Sequence, residues 1–170
     1  MTSSSATSEI QIRNFRADER EAVDAVVRLA WSELIGLMPE GDKLAARLGS
    51  LTEQADQSEV IVAELNGEIV GAVGYVGATQ PKPSFFQPDW PMVRMLSVSP
   101  AHRGLGLGKR LLEECIARAR RDEAAVIALH TTAVMKSAQR LYAALGFQQV
   151  QELPLLFGVP CALLTKNMHV

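Results

Sequence analysis

Met95-Leu96-Ser97-Val98-Ser99-Pro100-Ala101-His102-Arg103-Gly104-Leu105-Gly106-Leu107-Gly108-Lys109 is the stretch on which the reading turns. It leaves a β-rich run, Met92 to Val98, that Ser99-Pro100 stops. It enters a helical pattern with Leu107, Leu111, Leu112, Cys115, Ile116 and Ala119 on one face. Between the two lies a turn of alternating glycines. Glycine lets backbone N–H groups approach an anion closely, and a helix start adds the favourable end of its dipole. Arg103 and Lys109 flank the turn with positive charge, so a pyrophosphate is its natural ligand. A dinucleotide GxGxxG starting at Gly104 would need glycine where Lys109 stands. A nucleotide-triphosphate loop would need glycine at Arg103 and Ser or Thr at Arg110, and it fails as well. The plain alternative is a strand-to-helix turn that binds nothing.

Outward from this turn the pattern alternates between strand and helix. Upstream, Ile10, Ile12 and Phe15 suggest a strand, and Asp18 an N-cap for a helix carrying Val23, Val26, Val27, Ala30 and Trp31. Leu44, Leu48 and Leu51 mark a second, shorter helix. Glu59 to Leu65 and Glu68 to Tyr75 flank Asn66-Gly67, the preferred type I′ hairpin turn. Gly77 to Pro91 is proline-rich and reads as a loop. Downstream, Val126 to Leu129 is a short buried strand. Met135, Ala138, Leu141 and Leu145 stripe a helix closed by Gly146. A β-rich segment, Val159 to Leu164, ends the pattern, and as an edge strand it could pair across subunits to give a homodimer. The order β-α-α-β-β-β-α-β-α-β predicts one mixed α/β domain over residues 9–170, behind a disordered Ser/Thr-rich tail at Met1 to Ser8.

Composition narrows the function classes. Of 170 residues, 48% are hydrophobic and 21% charged, which excludes disorder along the whole chain. A net charge of −2 argues against nucleic acid as a principal partner. Cys115 and Cys161 lie in apolar surroundings without metal-ligand spacing and read as buried thiols of a reducing compartment. The opening MTSSSATSE lacks the basic and apolar regions of a secretory signal. The longest apolar stretch, Leu153 to Leu164, is broken by Pro154, Gly158 and Pro160, short of the ~20 residues of a membrane span. The expectation is a cytoplasmic protein without a membrane partner.

Two blocks resemble a known family. Arg103-Gly104-Leu105-Gly106-Leu107-Gly108 has the R-x-x-G-x-G form of the acetyl-CoA loop of GNAT (Gcn5-related) N-acetyltransferases. Ala138-Gln139-Arg140-Leu141-Tyr142-Ala143-Ala144-Leu145-Gly146-Phe147 is similar to the family's A-x-x-L-Y-x-x-x-G-F segment, at a spacing that also fits. The resemblance implies a mostly antiparallel sheet splayed into a V between the Leu96 strand and the Ile127 strand, flanked by helices. It implies that backbone groups of Leu96, Ser97 and Val98 pair with the pantetheine arm of acetyl-CoA. Amides from Arg103 through Gly104, Leu105, Gly106, Leu107 and Gly108 to Lys109 would hold its pyrophosphate. A neutral amine would attack the thioester directly, a strand amide near Leu96 or Ser97 would stabilise the oxyanion, and Tyr142 would face the leaving sulfur. With ordinary pKa values of ~10 for tyrosine and ~8.5 for a thiol, full proton transfer is uphill by about 2 kcal/mol, so a hydrogen bond to the thiolate is the easier role. Without that role, Tyr142 is a core aromatic.

The match departs from the family at two places. Met135 stands where the second block commonly begins with Asn, so a cofactor hydrogen bond is either lost or supplied by Ser137 or backbone. Met92-Val93-Arg94-Met95 contains no carboxylate, where many members carry a Glu as general base. His130, at the carboxyl end of a buried strand beside the slot, is the first replacement; otherwise it is a structural histidine. Glu33 and Glu40 are second candidates or simply solvated carboxylates. His102 caps the loop, His169 lies near the terminus, and Arg94 could reach an acidic acceptor group or pair with a carboxylate. The acceptor site is expected from Trp31 to Asp42 and from the Gly77 to Pro91 loop. Phe85, Phe86 and Trp90 there form either a flat substrate wall or the anchors of a long loop. The function expected is transfer of acetyl from acetyl-CoA to a primary amine of a small molecule or peptide. A non-catalytic acyl-CoA-binding regulator and a transferase of longer acyl groups are the alternatives.

Overall fold

The computed structural model describes residues 9–169, the side chain of Ser50 apart, and the tail expected at Met1 to Ser8 lies outside them. In chain order come β1 (Ile10–Asn14), α1 (Arg20–Ile35), α2 (Gly41–Ala45), α3 (Ser50–Glu53), β2 (Glu59–Leu65) and β3 (Glu68–Val76). Then follow β4 (Met92–Val98), α4 (Leu107–Arg121), β5 (Val126–Thr132), α5 (Lys136–Ala144), β6 (Gln148–Leu156) and β7 (Val159–Asn167).

The strands form one sheet in the order β1-β2-β3-β4-β5-β7-β6. Every neighbouring pair is antiparallel except β4 and β5. Asn66 and Gly67 turn the β2–β3 hairpin with φ of 52° and 83°, as a type I′ turn requires. The parallel pair meets only at Met92 and Ala128, where the Ala128 amide donates to the Pro91 carbonyl at 3.0 Å. Beyond that point the strands diverge. A bulge explains why: Ala72 faces Ser97 and Gly74 faces Arg94, so Met95 and Leu96 together oppose Val73. Met95 takes φ of 52° there, and the extra residue bends β4 away from β5.

Successive β2 side chains serve opposite faces, as the two-residue period dictates. Ile61 and Ala63 join Val73 under α4, packing on Leu111, Leu112 and Cys115. Val60 and Val62 join Ala72 under α1, packing on Val23, Val26 and Val27. With both faces covered, β2 reads as a continuous apolar run. Cys115 and Cys161 are free and buried. No helix of the described residues is long and apolar enough to cross a membrane.

Four sequence expectations need correction. β6 has no counterpart in the sequence reading, because Gln148-Gln149-Val150-Gln151-Glu152 is polar and Pro154 interrupts the apolar run. Both features suit an edge strand exposed along most of its length. β7 is therefore not an edge: it pairs with β5 and β6, and a homodimer through Val159 to Leu164 has no free backbone to use. Asp18 sits inside a 3₁₀ turn, Ala17–Glu19, and caps nothing; Glu19 instead accepts the Arg16 amide at 2.7 Å and pairs with Arg13. The helix expected over Leu44 to Leu51 is split into α2 and α3.

Candidate active site

The glycine turn opens α4 as expected. Gly104 and Gly106 adopt φ of 84° and 75°. Gly106 is the N-cap, and no side chain caps the helix. Among the described residues, no amide from Gly104 to Lys109 donates a backbone hydrogen bond, and the first to do so is Arg110, to the Gly106 carbonyl. A row of unengaged donors at a helix start fits an anion, and the open space around both glycines leaves room for one. These residues fit a pyrophosphate.

The turn forms one end of a cavity of about 590 Å³. Leu96, Ser97 and Val98 of β4 line it, facing the gap where β5 has departed, and so do Arg103, Gly104, Gly106, Leu107, Gly108 and Lys109. Ser137, in the exposed first turn of α5, lines it from the far side together with Met135. Leu105 is exposed and does not line it. Arg103 pairs with Glu33 of α1 at 3.1 Å across the opening, and His102 Nδ1 lies 3.2 Å from Ser99 Oγ.

A second cavity, of about 460 Å³, shares Trp31, Leu96 and Met135 with the first, so the two meet there. Trp31 Nε1 donates to Ser97 Oγ at 2.9 Å, and Ser97 Oγ donates to the Met95 carbonyl at 2.9 Å. This relay fixes α1 over the bulge. Tyr142 lines the second cavity and is 3% exposed, its ring 6.0 Å from that of Phe147. Burial, with a smaller contribution from Cys115, pushes its hydroxyl well above the ordinary tyrosine range, so it stays protonated.

His130 lines the same cavity, with Phe85 and Phe86 at ring distances of 5.6 and 6.0 Å. Burial, then the Arg94 charge, lowers its pKa below the ordinary 6.5. Its Nδ1 and the Thr132 hydroxyl are buried without a hydrogen-bond partner among the described residues. The other candidate bases lie elsewhere. Glu33 lines the first cavity only, and Glu40 pairs with Lys43 and lines neither. His169 is exposed.

The two regions expected to build an acceptor site both reach a cavity. Trp31 and Met38, and Pro81, Lys82 and Pro83 from the long loop, line the second cavity. Phe85, Phe86 and Trp90 do not; they pack with Val76, Met92, Ala128 and Leu163 and anchor the loop. The sequence reading missed Arg47 and the β6–β7 turn residues Leu156 and Phe157, which close this cavity. No local pattern announces them, since a turn between two strands 110 residues downstream brings Phe157 beneath Arg47, at 5.6 Å.

A mostly antiparallel sheet that splays between β4 and β5 and is flanked by helices is the fold the resemblance implied. The profile of the acetyltransferase (GNAT) family matches residues 23–147, and the chain belongs to that family. Over 88 residues it is 36% identical to a probable N-acetyltransferase family 8 member 5 of Mus musculus, covering 52% of this chain and 37% of that protein. Over 91 residues it is 35% identical to an N-acetyltransferase 8 of Rattus norvegicus, covering 54% and 40%. The chain thus spans about two fifths of the length of these relatives. A GNAT-family acetyltransferase structure from Staphylococcus aureus Mu50 superposes with a TM-score of 0.73 at 19% identity, covering 94% of this chain and 99% of the other. A putative acetyltransferase from Salmonella typhimurium, solved with its cofactor acetyl-CoA, gives 0.67 at 21% identity and covers 94% of each chain. At these identities the likeness is one of fold.

Proposed function

We propose that residues 9–170 form a single N-acetyltransferase domain that moves an acetyl group from acetyl-CoA to a primary amine of a small molecule or peptide by direct attack. The observation that carries this reading is the junction of two cavities at Trp31, Leu96 and Met135, one of them ending on the unengaged amides of the glycine turn. When bound, acetyl-CoA supplies an acetyl thioester open to a neutral amine. The amides from Arg103 to Lys109 bind the pyrophosphate, with Arg103 exchanging Glu33 for phosphate oxygens. Backbone groups of Leu96, Ser97 and Val98 and the Ser137 hydroxyl orient the pantetheine arm, while a strand amide at Leu96 or Ser97 faces the developing oxyanion. Tyr142, protonated, donates a hydrogen bond from its hydroxyl to the departing sulfur. His130, held neutral at pH 7, takes the amine's proton.

Calorimetry with acetyl-CoA, CoA and NADH tests the cofactor half of the reading. Micromolar binding of the two CoA species with NADH inert supports it, and thiol release with a panel of amines then tests transfer. No binding of either CoA species overturns it.

A further inference from the structure

The charges around the second cavity are of one sign. Arg47, Lys82 and Arg94 line it, together with His130, and among the described residues no Asp or Glu does. Burial disfavours the charge on both Arg94 and Lys82, which marks the surroundings as poorly hydrated. Lys82 is held in place by its own loop, donating from Nζ to the Gly77, Ala78 and Gln80 carbonyls at 3.2, 2.7 and 2.9 Å. Asp89 acts on Lys82 from outside the lining. The Arg47 guanidinium lies over the Phe157 ring at 5.6 Å, at the turn that closes the cavity. A polyamine or other multiply cationic acceptor finds three like charges in such a space and no carboxylate among the described residues that line it. An anion meets guanidinium groups, whose planar N–H fork matches a carboxylate.

Met38, Leu44, Met92 and Leu129 give the lining its apolar part, beside the uncharged polar Gln54, Gln57, Thr131 and Thr132. A volume of about 460 Å³ lies in the range of small-molecule sites. Resting on the transferase reading above, we propose that the acceptor is a free amino acid with an apolar side chain, its carboxylate taken by Arg94 and Arg47 and its α-amine turned toward the junction with the first cavity. The transfer balances as an amide synthesis. The N–C bond to the acetyl carbon forms and the C–S bond breaks. The sulfur leaves as thiolate with its electron pair, and the amine's proton passes to His130.

The test compares L-phenylalanine, L-methionine and L-leucine with their carboxamides and with spermidine. Turnover is read by thiol release, and binding to the CoA-loaded protein is read separately by calorimetry. The expected result is an acid-over-amide preference of about tenfold or more in kcat/KM or in binding, with spermidine inert. Arg94→Gln and Arg47→Gln, each checked for folding by its melting curve, should bring that ratio toward one. Equal use of acid and amide, acetylation of spermidine alone, or no binding of any amino acid to the CoA-loaded protein overturns the inference. Binding that prefers the acids with no thiol release keeps it and overturns the transferase reading. Transfer that ignores the carboxylate does the reverse.

Discussion

Tyr142 shows how much one residue's surroundings decide. Its hydroxyl sits in a site so poorly solvated that the anion is strongly disfavoured, and it keeps the proton it needs to donate. Tyr142→Phe should therefore cut turnover by about tenfold to a hundredfold while calorimetry returns nearly unchanged acetyl-CoA affinity. A variant as active as the parent would remove the residue from the chemistry. His130 offers a second test. Its folded pKa lies below the ordinary 6.5, so the unfolded chain binds the proton more readily. The stability this contributes is complete above pH 6.5 and is lost as pH falls from there through the folded value. Urea titrations on either side of pH 6.5 should show a loss that His130→Gln diminishes, and the acid limb of the rate profile should lie below 6.5 and vanish in that variant. An acid limb below 6.5 that persists unchanged in His130→Gln would exclude His130 as the base.

At the scale of elements, the two glycine turns separate backbone strain from crowding. A Cβ at Gly106 would meet nothing within 4 Å, so Gly106→Ala carries only the cost of φ 75°, roughly 1 kcal/mol, and should weaken acetyl-CoA binding more visibly than it lowers the urea midpoint. A Cβ at Gly158 would lie 2.9 Å from Pro39 Cβ at φ 83°, where the β6–β7 turn rests on the α1–α2 connection. Gly158→Ala should cost roughly 2 kcal/mol or more by urea denaturation and disturb the second cavity. The first turn was legible in the sequence because its chemistry is local: glycines, flanking cations and a helix start are contiguous. The β6–β7 hairpin was not. Phe157 reaches φ 51° without the Asn or Asp that signals such turns, and the polar run Gln148 to Glu152 obeys an edge position that only the assembled sheet defines. The glycine turn was thus readable, while Arg47 and the β6–β7 turn, which only the assembled fold brings to the second cavity, were not.

At the scale of the whole molecule, the sheet falls into two plates, β1-β2-β3-β4 and β5-β7-β6, joined at Met92 and Ala128. A ligand seated in the gap beside Leu96 to Val98 stands where a strand would otherwise run. It binds the folded chain and not the unfolded one, so acetyl-CoA at a hundred times its dissociation constant should add about 2.7 kcal/mol of stability. For a chain of this size that raises the melting temperature by about 5–10 °C, readable by differential scanning fluorimetry, with NADH giving no shift. The new edge at β6 carries Glu152 and Pro154, which discourage pairing with another chain. The single join at Met92 and Ala128 has a mechanical meaning as well. Each plate keeps its own ladder, while the core under α4 runs across from Val73 and Leu111 to Ile127 and Leu129, so the ladder parts there and the packing does not. Deuterium should therefore enter the amides along the divergent edges of β4 and β5 early, well before those inside β2 and β3, and CoA should slow that entry by covering those edges.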